Sequence, residues 1–283
     1  MKELREYEIG LYEKAMPNSL SLAEKLTLTG ELGYDYMEMS IDESDDKLAR
    51  LDWSDDKLDE LASISRQIGV PIGSICLSGH RKYPLGSESQ AERGMEIMEK
   101  ALRVASKLGV RVIQLAGYDV YYEQGNKETQ KRFIENLKKS ALLAAKAGVY
   151  LGFETMETPF MDTVWKAMFY VQAVHSPWLG VYPDSGNLTN AAKIYQSDVL
   201  LDLKSGDGHI CALHLKETIP GHYREIPFGT GHVDFGAIIN TAWQMGVRRY
   251  VTEMWYVNQP EWKKDIAKAR SMMTNLLDEH CRL

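Results

Sequence analysis

The sequence has 283 residues, which is longer than one average domain and too short for two, so it fits a single large domain over residues 1–283. Lys and Arg number 33 and Asp and Glu number 40, and the net charge of −7 disfavours a protein that binds duplex nucleic acid through a basic face. A hydrophobic fraction of 44% and a charged fraction of 26% are typical of a globular protein and exclude a disordered chain.

The N-terminal residues lack the apolar run of a signal peptide, and no stretch of about 18 apolar residues predicts a membrane span. We therefore expect a cytoplasmic protein that has neither a membrane nor a nucleic acid as its partner. The three cysteines, Cys76, Cys211 and Cys281, are too few for a disulfide framework and lack the paired spacing of a zinc site, so we expect free thiols.

Eight segments are rich in the apolar and β-branched residues that form buried strands. In chain order these predicted strands are Glu8–Glu13, Tyr34–Ile41, Pro71–Leu77, Arg111–Ala116, Tyr150–Thr155, Leu179–Pro183, Ile210–Leu215 and Tyr250–Trp255. Helical segments lie between them, and apolar residues recur three or four positions apart in Ser87–Leu108 and Lys127–Ala147.

A glycine ends five of the helix-like segments and is followed at once by a β-rich segment. Glycine adopts the left-handed conformation at a helix end without steric cost. These glycines are Gly33, Gly69, Gly109, Gly148 and Gly246, and the first four are about 40 residues apart, the length of one βα repeat. Eight such repeats predict a (β/α)₈ barrel. An open doubly wound sheet is the alternative, but no G-x-G-x-x-G motif follows the first strand.

The apolar runs of four consecutive predicted strands terminate in an acidic residue or a histidine, and these are Glu154, Asp184, His214 and Glu253. The C-terminal ends of barrel strands meet at one mouth, where active sites lie. Each residue alone could be a solvated loop residue, a helix N-cap or a histidine of the core. Together, three carboxylates would repel one another without a cation, so the set predicts a site for a divalent metal ion such as Mn²⁺, Mg²⁺, Co²⁺ or Zn²⁺.

Glu154 and Glu253 come from strands that are three positions apart around the ring, so we expect them to face each other across the mouth. Two carboxylates on opposite sides of one carbon suit an epimerisation, because one removes the proton beside a carbonyl and the other returns a proton to the opposite face. The metal ion would polarise the carbonyl and stabilise the enediolate.

At these residues the sequence resembles the xylose isomerase-like barrels and, within them, the ketose 3-epimerases. It is most similar to bacterial members that interconvert L-xylulose 5-phosphate and L-ribulose 5-phosphate in L-ascorbate and pentose catabolism. The similar segments are Gly10–Ala15, Met37–Ser40, Arg50–Ser54, Cys76–Arg81, Pro84–Ser87, Val112–Tyr122, Tyr182–Asn187, Pro227–Gly229 and Glu253–Trp255.

The resemblance implies that Glu154, Asp184, His214 and Glu253 bind one divalent metal ion, with Zn²⁺ or Mn²⁺ ahead of Mg²⁺ or Co²⁺. It implies that Glu154 and Glu253 transfer the protons. Barrels of this family are often dimers, so a homodimer is an expectation from the same resemblance. Free-sugar 3-epimerases place a histidine where this chain has Asn187, so the departure favours the sugar-phosphate members.

A ketopentose phosphate as substrate needs an anion site near the mouth. The predicted phosphate-binding residues are Lys14, His80, Lys216 and Arg224, and Arg81 follows the same strand as His80. Any of them could instead be a solvated surface residue. Lys216 is favoured with Arg224, since the alternation of a strand puts Lys216 on the face of His214.

Several other functions on this fold stay open. An aldose–ketose isomerase, an inosose dehydratase or a free-ketose 3-epimerase would use the same barrel. A relative of the abasic-site endonucleases needs more metal-binding histidines and a basic groove, and the chain has only 7 histidines. A sugar-sensing barrel without catalysis is the remaining alternative.

Overall fold

The structure is a computed structural model and describes residues 5–280. Cys281 therefore lies outside the described residues. The strands are β1 (Glu8–Tyr12), β2 (Tyr36–Ser40), β3 (Ile72–Leu77), β4 (Val112–Ala116), β5 (Tyr150–Glu154), β6 (Leu179–Val181), β7 (Leu213–Leu215) and β8 (Arg249–Thr252). The α-helices are α1 (Leu22–Glu31), α2 (Asp45–Leu48), α3 (Asp55–Ile68), α4 (Ala91–Leu108), α5 (Lys127–Ala147), α6 (Val164–Val174), α7 (Ser185–Tyr195), α8 (Val199–Lys204), α9 (Phe235–Gln244) and α10 (Trp262–Asp278).

The strands form one parallel sheet in the order β6-β5-β4-β3-β2-β1-β8-β7. Parallel bridges between Val181 and Ile210 and between Asp184 and His214 join its two ends, so the sheet closes on itself. The predicted (β/α)₈ barrel is confirmed. All eight predicted strands are present, although β8 begins one residue before its prediction and ends at Thr252.

The glycine repeat has the predicted geometry, since all five glycines have a positive φ between 64° and 85°. The apolar stripe of α5 is buried at Phe133, Leu137 and Ala141, which pack in the core between helices and sheet. At the other end of α5, the side chain of Asn126 accepts hydrogen bonds from two backbone amides of the first turn. Helix caps and periodic apolar residues thus determine where the helix of a βα unit begins and ends and which of its faces is buried.

The two faces of each strand have different surroundings, because side chains alternate along a strand. In β2, Met37 and Met39 face the helix layer. Tyr36 belongs to a second, smaller apolar cluster with Tyr12 and Tyr182, and this cluster fills the barrel interior. Polar residues on the same strand face as Tyr36 also point into the barrel interior, and they form the candidate functional site.

Within residues 5–280, no helix combines the length and the apolar character that crossing a membrane requires. Cys76 and Cys211 are free thiols, as predicted.

Candidate metal centre

The barrel brings the four predicted strand-end residues together. Glu154 is the last residue of β5, His214 is in β7, Glu253 directly follows β8, and Asp184 is the N-cap of α7. One potential ligand atom from each lies within 4.8 Å of the others. All four side chains are buried. The regular βα repeat therefore converts four distant positions in the sequence into one compact cluster.

One carboxylate oxygen of Asp184 accepts a hydrogen bond, and the other has no hydrogen-bond partner among the described residues. Its Oδ1 accepts a hydrogen bond of 2.6 Å from the backbone amide of Asn187 and lies 3.1 Å from Nζ of Lys216. Its Oδ2 is buried and has no hydrogen-bond partner among the described residues. The residue is thus both a helix N-cap and a candidate ligand, since capping uses only one oxygen.

The charges of the cluster conflict without a cation. Burial and the carboxylates of Glu253 and Glu154 raise the pKa of Asp184 well above its ordinary value, against the opposing effect of Lys216. Burial also acts to raise the pKa of Glu253, but Lys216 and His214 outweigh it and hold that pKa well below its ordinary value. Ionising all of these buried carboxylates is therefore costly in free energy unless a cation lies among them.

A fifth residue, Glu38 of β2, was not predicted to belong to the site. It is fully buried, and its Oε1 lies 2.6 Å from Nε2 of His214. Its Oε2 accepts hydrogen bonds from the hydroxyls of Ser74 and Tyr182, at 2.7 Å and 2.9 Å. The available signal was the alternation of Tyr36, Glu38 and Ser40 with apolar residues, which places a carboxylate inside the barrel.

The donor set fits a divalent metal ion. Nδ1 of His214 lies 3.1 Å from Oε2 of Glu253 and 3.6 Å from Oε1 of Glu154, so this nitrogen faces the carboxylates. The free Oδ2 of Asp184 offers a third carboxylate donor. One imidazole and three carboxylates are ligands that Zn²⁺, Mn²⁺, Mg²⁺ or Co²⁺ accepts.

A pocket opens onto the cluster at the C-terminal mouth of the barrel, and we call it the mouth pocket. Glu154 and Glu253 both line it, and Tyr12, Tyr223 and Trp255 give it aromatic walls. Its complete lining is Tyr12, Lys14, Cys76, Ser78, Arg81, Glu154, Met156, Glu157, Asn187, Lys216, Tyr223, Arg224, Glu253 and Trp255.

Three of the four predicted phosphate-binding residues line the mouth pocket. Lys14 pairs with Asp42 at 2.5 Å. Lys216 is buried and pairs with Asp184 and Glu253, so its charge offsets the carboxylates of the cluster. Arg224 lies 3.5 Å from a carboxylate oxygen of Glu157 and is about half exposed.

The fourth predicted phosphate-binding residue, His80, does not join the others. It is buried, its Nε2 lies 3.0 Å from the carbonyl oxygen of Gly94, and it lines a separate small cavity with Phe133. Burial lowers its pKa to about 4, against the effect of the hydrogen bond to Gly94. The ring is therefore neutral at pH 7, and its geometry is that of a structural residue.

Glu217 anchors the long loop between β7 and α9, which carries Arg224. Its carboxylate accepts hydrogen bonds from the backbone amides of Gly229 and Val233, at 3.0 Å and 3.2 Å. A Cβ atom at Gly231 would lie 2.3 Å from Oε1 of Glu217, so only glycine fits. Gly229 and Gly231 thus have a structural role beside the mouth pocket.

Known proteins are similar to this chain in sequence and in fold. A family model described as a xylose isomerase-like TIM barrel matches residues 26–276. The chain is 45% identical to the L-ribulose-5-phosphate 3-epimerase UlaE of Salmonella heidelberg (strain SL476), over 94% of this chain and 93% of that protein. A solved L-ribulose 3-epimerase has a TM-score of 0.81 at 20% identity, covering 98% of this chain and 96% of that one. The IOLI protein with a bound zinc atom has a TM-score of 0.76 at 19% identity, with 96% and 98% covered.

Proposed function

This chain belongs to the xylose isomerase-like TIM barrel family, and from that premise we propose how its buried centre acts on a sugar phosphate. The predicted family and the predicted 3-epimerase activity are confirmed by the family model and by the 45% identical relative. The enzyme is therefore an isomerase that acts on a small molecule. Its residue roles, its metal ion and its detailed substrate are the content of the proposal.

The substrate pair is L-xylulose 5-phosphate and L-ribulose 5-phosphate. The named activity of the relative supports this pair. Basic side chains at the rim of the mouth pocket, Lys14, Arg81 and Arg224, are compatible with an anionic substrate. The proposed partner is thus a ketopentose phosphate.

Glu154 and Glu253 are the proposed catalytic residues. Both are largely buried, and both line the mouth pocket. They come from strands three positions apart around the barrel, which supports a placement on opposite sides of the sugar. One carboxylate removes the proton from C3, beside the ketone at C2, and the electron pair of the C3–H bond moves into an enediolate. The other glutamate, in its protonated form, returns a proton to the opposite face of C3.

Lys216 and Glu38 act on neighbouring groups of the centre, Lys216 on Glu253 and Glu38 on His214. Nζ of Lys216 lies 3.5 Å from Oε2 of Glu253 and favours the ionised carboxylate that a base needs. Glu38 holds the imidazole of His214 from the side opposite to the carboxylates. These two residues act on the catalytic groups rather than on the sugar.

Glu154, Asp184, His214 and Glu253 are the proposed ligands of one divalent metal ion, Zn²⁺ or Mn²⁺ ahead of Mg²⁺ or Co²⁺. When bound, the ion would polarise the ketone and offset the negative charge that develops on the sugar oxygens. The unpartnered Oδ2 of Asp184 and the raised pKa of that carboxyl support the ligand assignment.

The observation that carries the proposal is the pair of buried glutamates that line one pocket and come from strands three positions apart around the barrel. Its test is the conversion of L-ribulose 5-phosphate in D₂O, followed by NMR. We expect L-xylulose 5-phosphate with deuterium at C3, because the glutamate that returns a proton to C3 takes its own proton from the solvent. Deuterium at C1 alone would indicate an aldose–ketose isomerase, and loss of water a dehydratase. Either result would overturn the proposal.

A further inference from the structure

Lys216 places a buried ammonium group between two of the candidate metal ligands. Its Nζ lies 3.1 Å from Oδ1 of Asp184 and 3.5 Å from Oε2 of Glu253, and the residue is only 4% exposed. Since a buried charge loses hydration free energy, these carboxylates take the place of the water that the ammonium group would otherwise bind. The charge of Lys216 is therefore part of the charge balance of the metal centre.

The backbone of Lys216 is held against the start of α7. Its amide donates a hydrogen bond of 3.0 Å to Oγ of Ser185, and the hydroxyl of Ser185 donates one of 3.2 Å to its carbonyl oxygen. A Cβ atom at Gly186 would lie 2.9 Å from the same carbonyl oxygen, so the two segments are in close contact. Because Asp184 is the N-cap of α7, these contacts fix the lysine and this candidate ligand relative to each other.

The ammonium group of Lys216 is a fixed cation at neutral pH. Burial acts to lower its pKa, but the carboxylates of Asp184, Glu253 and Glu154 outweigh burial and hold the pKa above its ordinary value. Within residues 5–280, no nitrogen of another lysine or of an arginine lies within 4.0 Å of a carboxylate oxygen of these three residues. A divalent ion that bound the same carboxylates would therefore meet one positive charge already in place.

We propose that Lys216 is the counter-cation of the metal-free centre and that it weakens the binding of the divalent metal ion. This inference rests on the proposed ligand set. Without an ion, the ammonium charge offsets the repulsion among the carboxylates and keeps the ligands assembled. Like charges repel strongly where water is excluded, so the same charge opposes an ion that binds Asp184 and Glu253. Lys216 is thus a positioning residue that also limits the metal affinity of the centre.

The test is calorimetric titration of metal-free wild type, Lys216→Met and Lys268→Met with Mn²⁺. Methionine keeps the aliphatic length and removes the charge, and Lys268 is an exposed lysine of α10. Residues that surround the ligands typically change metal affinity by about 10- to 100-fold, and we expect Lys216→Met to lower the Kd for Mn²⁺ by about that factor. Lys268→Met should leave the Kd unchanged. Lys216→Arg, which keeps the charge, should have a Kd closer to that of wild type.

Thermal unfolding gives a second readout that does not depend on turnover. Metal-free Lys216→Met should unfold at a lower temperature than metal-free wild type, because its buried carboxylates have lost their counter-charge. The rise in unfolding temperature on adding Mn²⁺ should then be larger for Lys216→Met than for wild type, since tighter binding to the folded state stabilises it more.

A Kd for Mn²⁺ that is raised or unchanged in Lys216→Met would overturn the proposal, because the lysine would then support the ligands or leave the ion unaffected. If metal-free Lys216→Met does not fold, its Kd is measured on the Mn²⁺-loaded protein by competition with EDTA, and the same two outcomes decide. A wild-type protein that takes up no Mn²⁺, or an Asp184→Asn variant that binds it as tightly as wild type, would refute the proposed ligand set itself.

Discussion

Nε2 of His214 lies 2.6 Å from Oε1 of Glu38 inside the barrel, on the side of the imidazole that faces away from the other carboxylates. Because a carboxylate accepts hydrogen bonds, Nε2 can donate its proton to Glu38. Nδ1, which faces the carboxylates of Glu154 and Glu253, is the nitrogen placed to bind a metal ion that joins them. Ser74 and Tyr182 hold Glu38 in turn, so a chain of hydrogen bonds fixes the orientation of the candidate ligand.

This chain of contacts predicts that Glu38→Gln weakens metal binding, because a neutral amide holds the imidazole less firmly. Loss of such a supporting carboxylate typically costs 10- to 100-fold in metal affinity, and we expect a loss of about that size. The measurement is calorimetric titration of the metal-free protein with Mn²⁺ or Zn²⁺. Glu60→Gln, at an exposed position, is the control. An unchanged Kd for Glu38→Gln would show that the contact does not support the ligand.

Single replacements of the two glutamates proposed as catalytic residues, Glu154 and Glu253, should affect the reaction in different ways. General acid–base catalysis contributes about 10²- to 10⁴-fold, so Glu154→Gln and Glu253→Gln should each reduce epimerisation by at least about 10²-fold. The remaining glutamate can still exchange the C3 proton of the epimer that it faces. In D₂O, each variant should therefore label only one of the two epimers, and the two variants should label opposite ones.

Metal content is the control for this experiment, since both glutamates are also candidate ligands. Each variant is assayed with saturating metal, and its bound metal is measured. A variant that holds metal and still epimerises at the wild-type rate would exclude that glutamate from proton transfer.

The sequence predicted the barrel and the four strand-end residues because both depend on a repeat. Gly69 and Gly109 end helices in the left-handed conformation, and the unit length then determines which positions face the mouth. Glu38 was missed because its role depends on contacts across the barrel, with residues more than 100 positions away. The burial of His80 was missed for a similar reason, since its partner, Gly94, lies on a helix that packs beside it.

Chelation should abolish activity if the cluster binds a catalytic metal ion. We expect EDTA to remove epimerisation of L-ribulose 5-phosphate and a divalent ion to restore it. Asp184→Asn should show the same loss without chelator, because it removes a charge from the ligand set while leaving Oδ1 able to cap α7. Full activity of the wild-type enzyme after complete removal of metal would contradict a catalytic metal ion.

Because His80 is buried, we expect the free energy of unfolding to fall in mild acid. Burial lowers its pKa from 6.5 to about 4, so the folded state favours the neutral ring. Between these two values the unfolded chain binds more protons, and stability falls as pH falls from 6.5 to 4. The effect amounts to about 3 kcal/mol at the lower end.

The comparison is the unfolding free energy in urea across this pH range for the wild-type enzyme and for His80→Gln. Glutamine can still donate to the carbonyl of Gly94, and it does not titrate. The variant should therefore show a smaller decline toward pH 4 and an unchanged KM for L-ribulose 5-phosphate. A strongly raised KM would return His80 to the phosphate-binding residues, where the sequence had placed it.

Among single substitutions beside the barrel mouth, we expect Glu13→Gln to cause the largest loss in the free energy of unfolding. Its buried carboxylate pairs with three cations: Arg50 at 2.7 Å, Lys25 at 3.2 Å and Lys47. Glu13→Gln would leave three buried positive charges without a counter-charge. Breaking a buried pair in this way costs about 3–5 kcal/mol. Glu8→Gln, which breaks an exposed pair with Arg249, should cost less than about 1 kcal/mol.

The dependence of this loss on pH provides the check. Burial acts to raise the pKa of Glu13, but Arg50, Lys47 and Lys25 outweigh burial and hold it well below the ordinary value of 4.5. The stabilisation is therefore present above pH 4.5 and is lost as pH falls below it. Urea unfolding should show a large difference between wild type and Glu13→Gln at pH 7 and a smaller one at pH 3. A difference that is below 1 kcal/mol at pH 7, or that grows in acid, would contradict the role of this carboxylate as the counter-charge of the cluster.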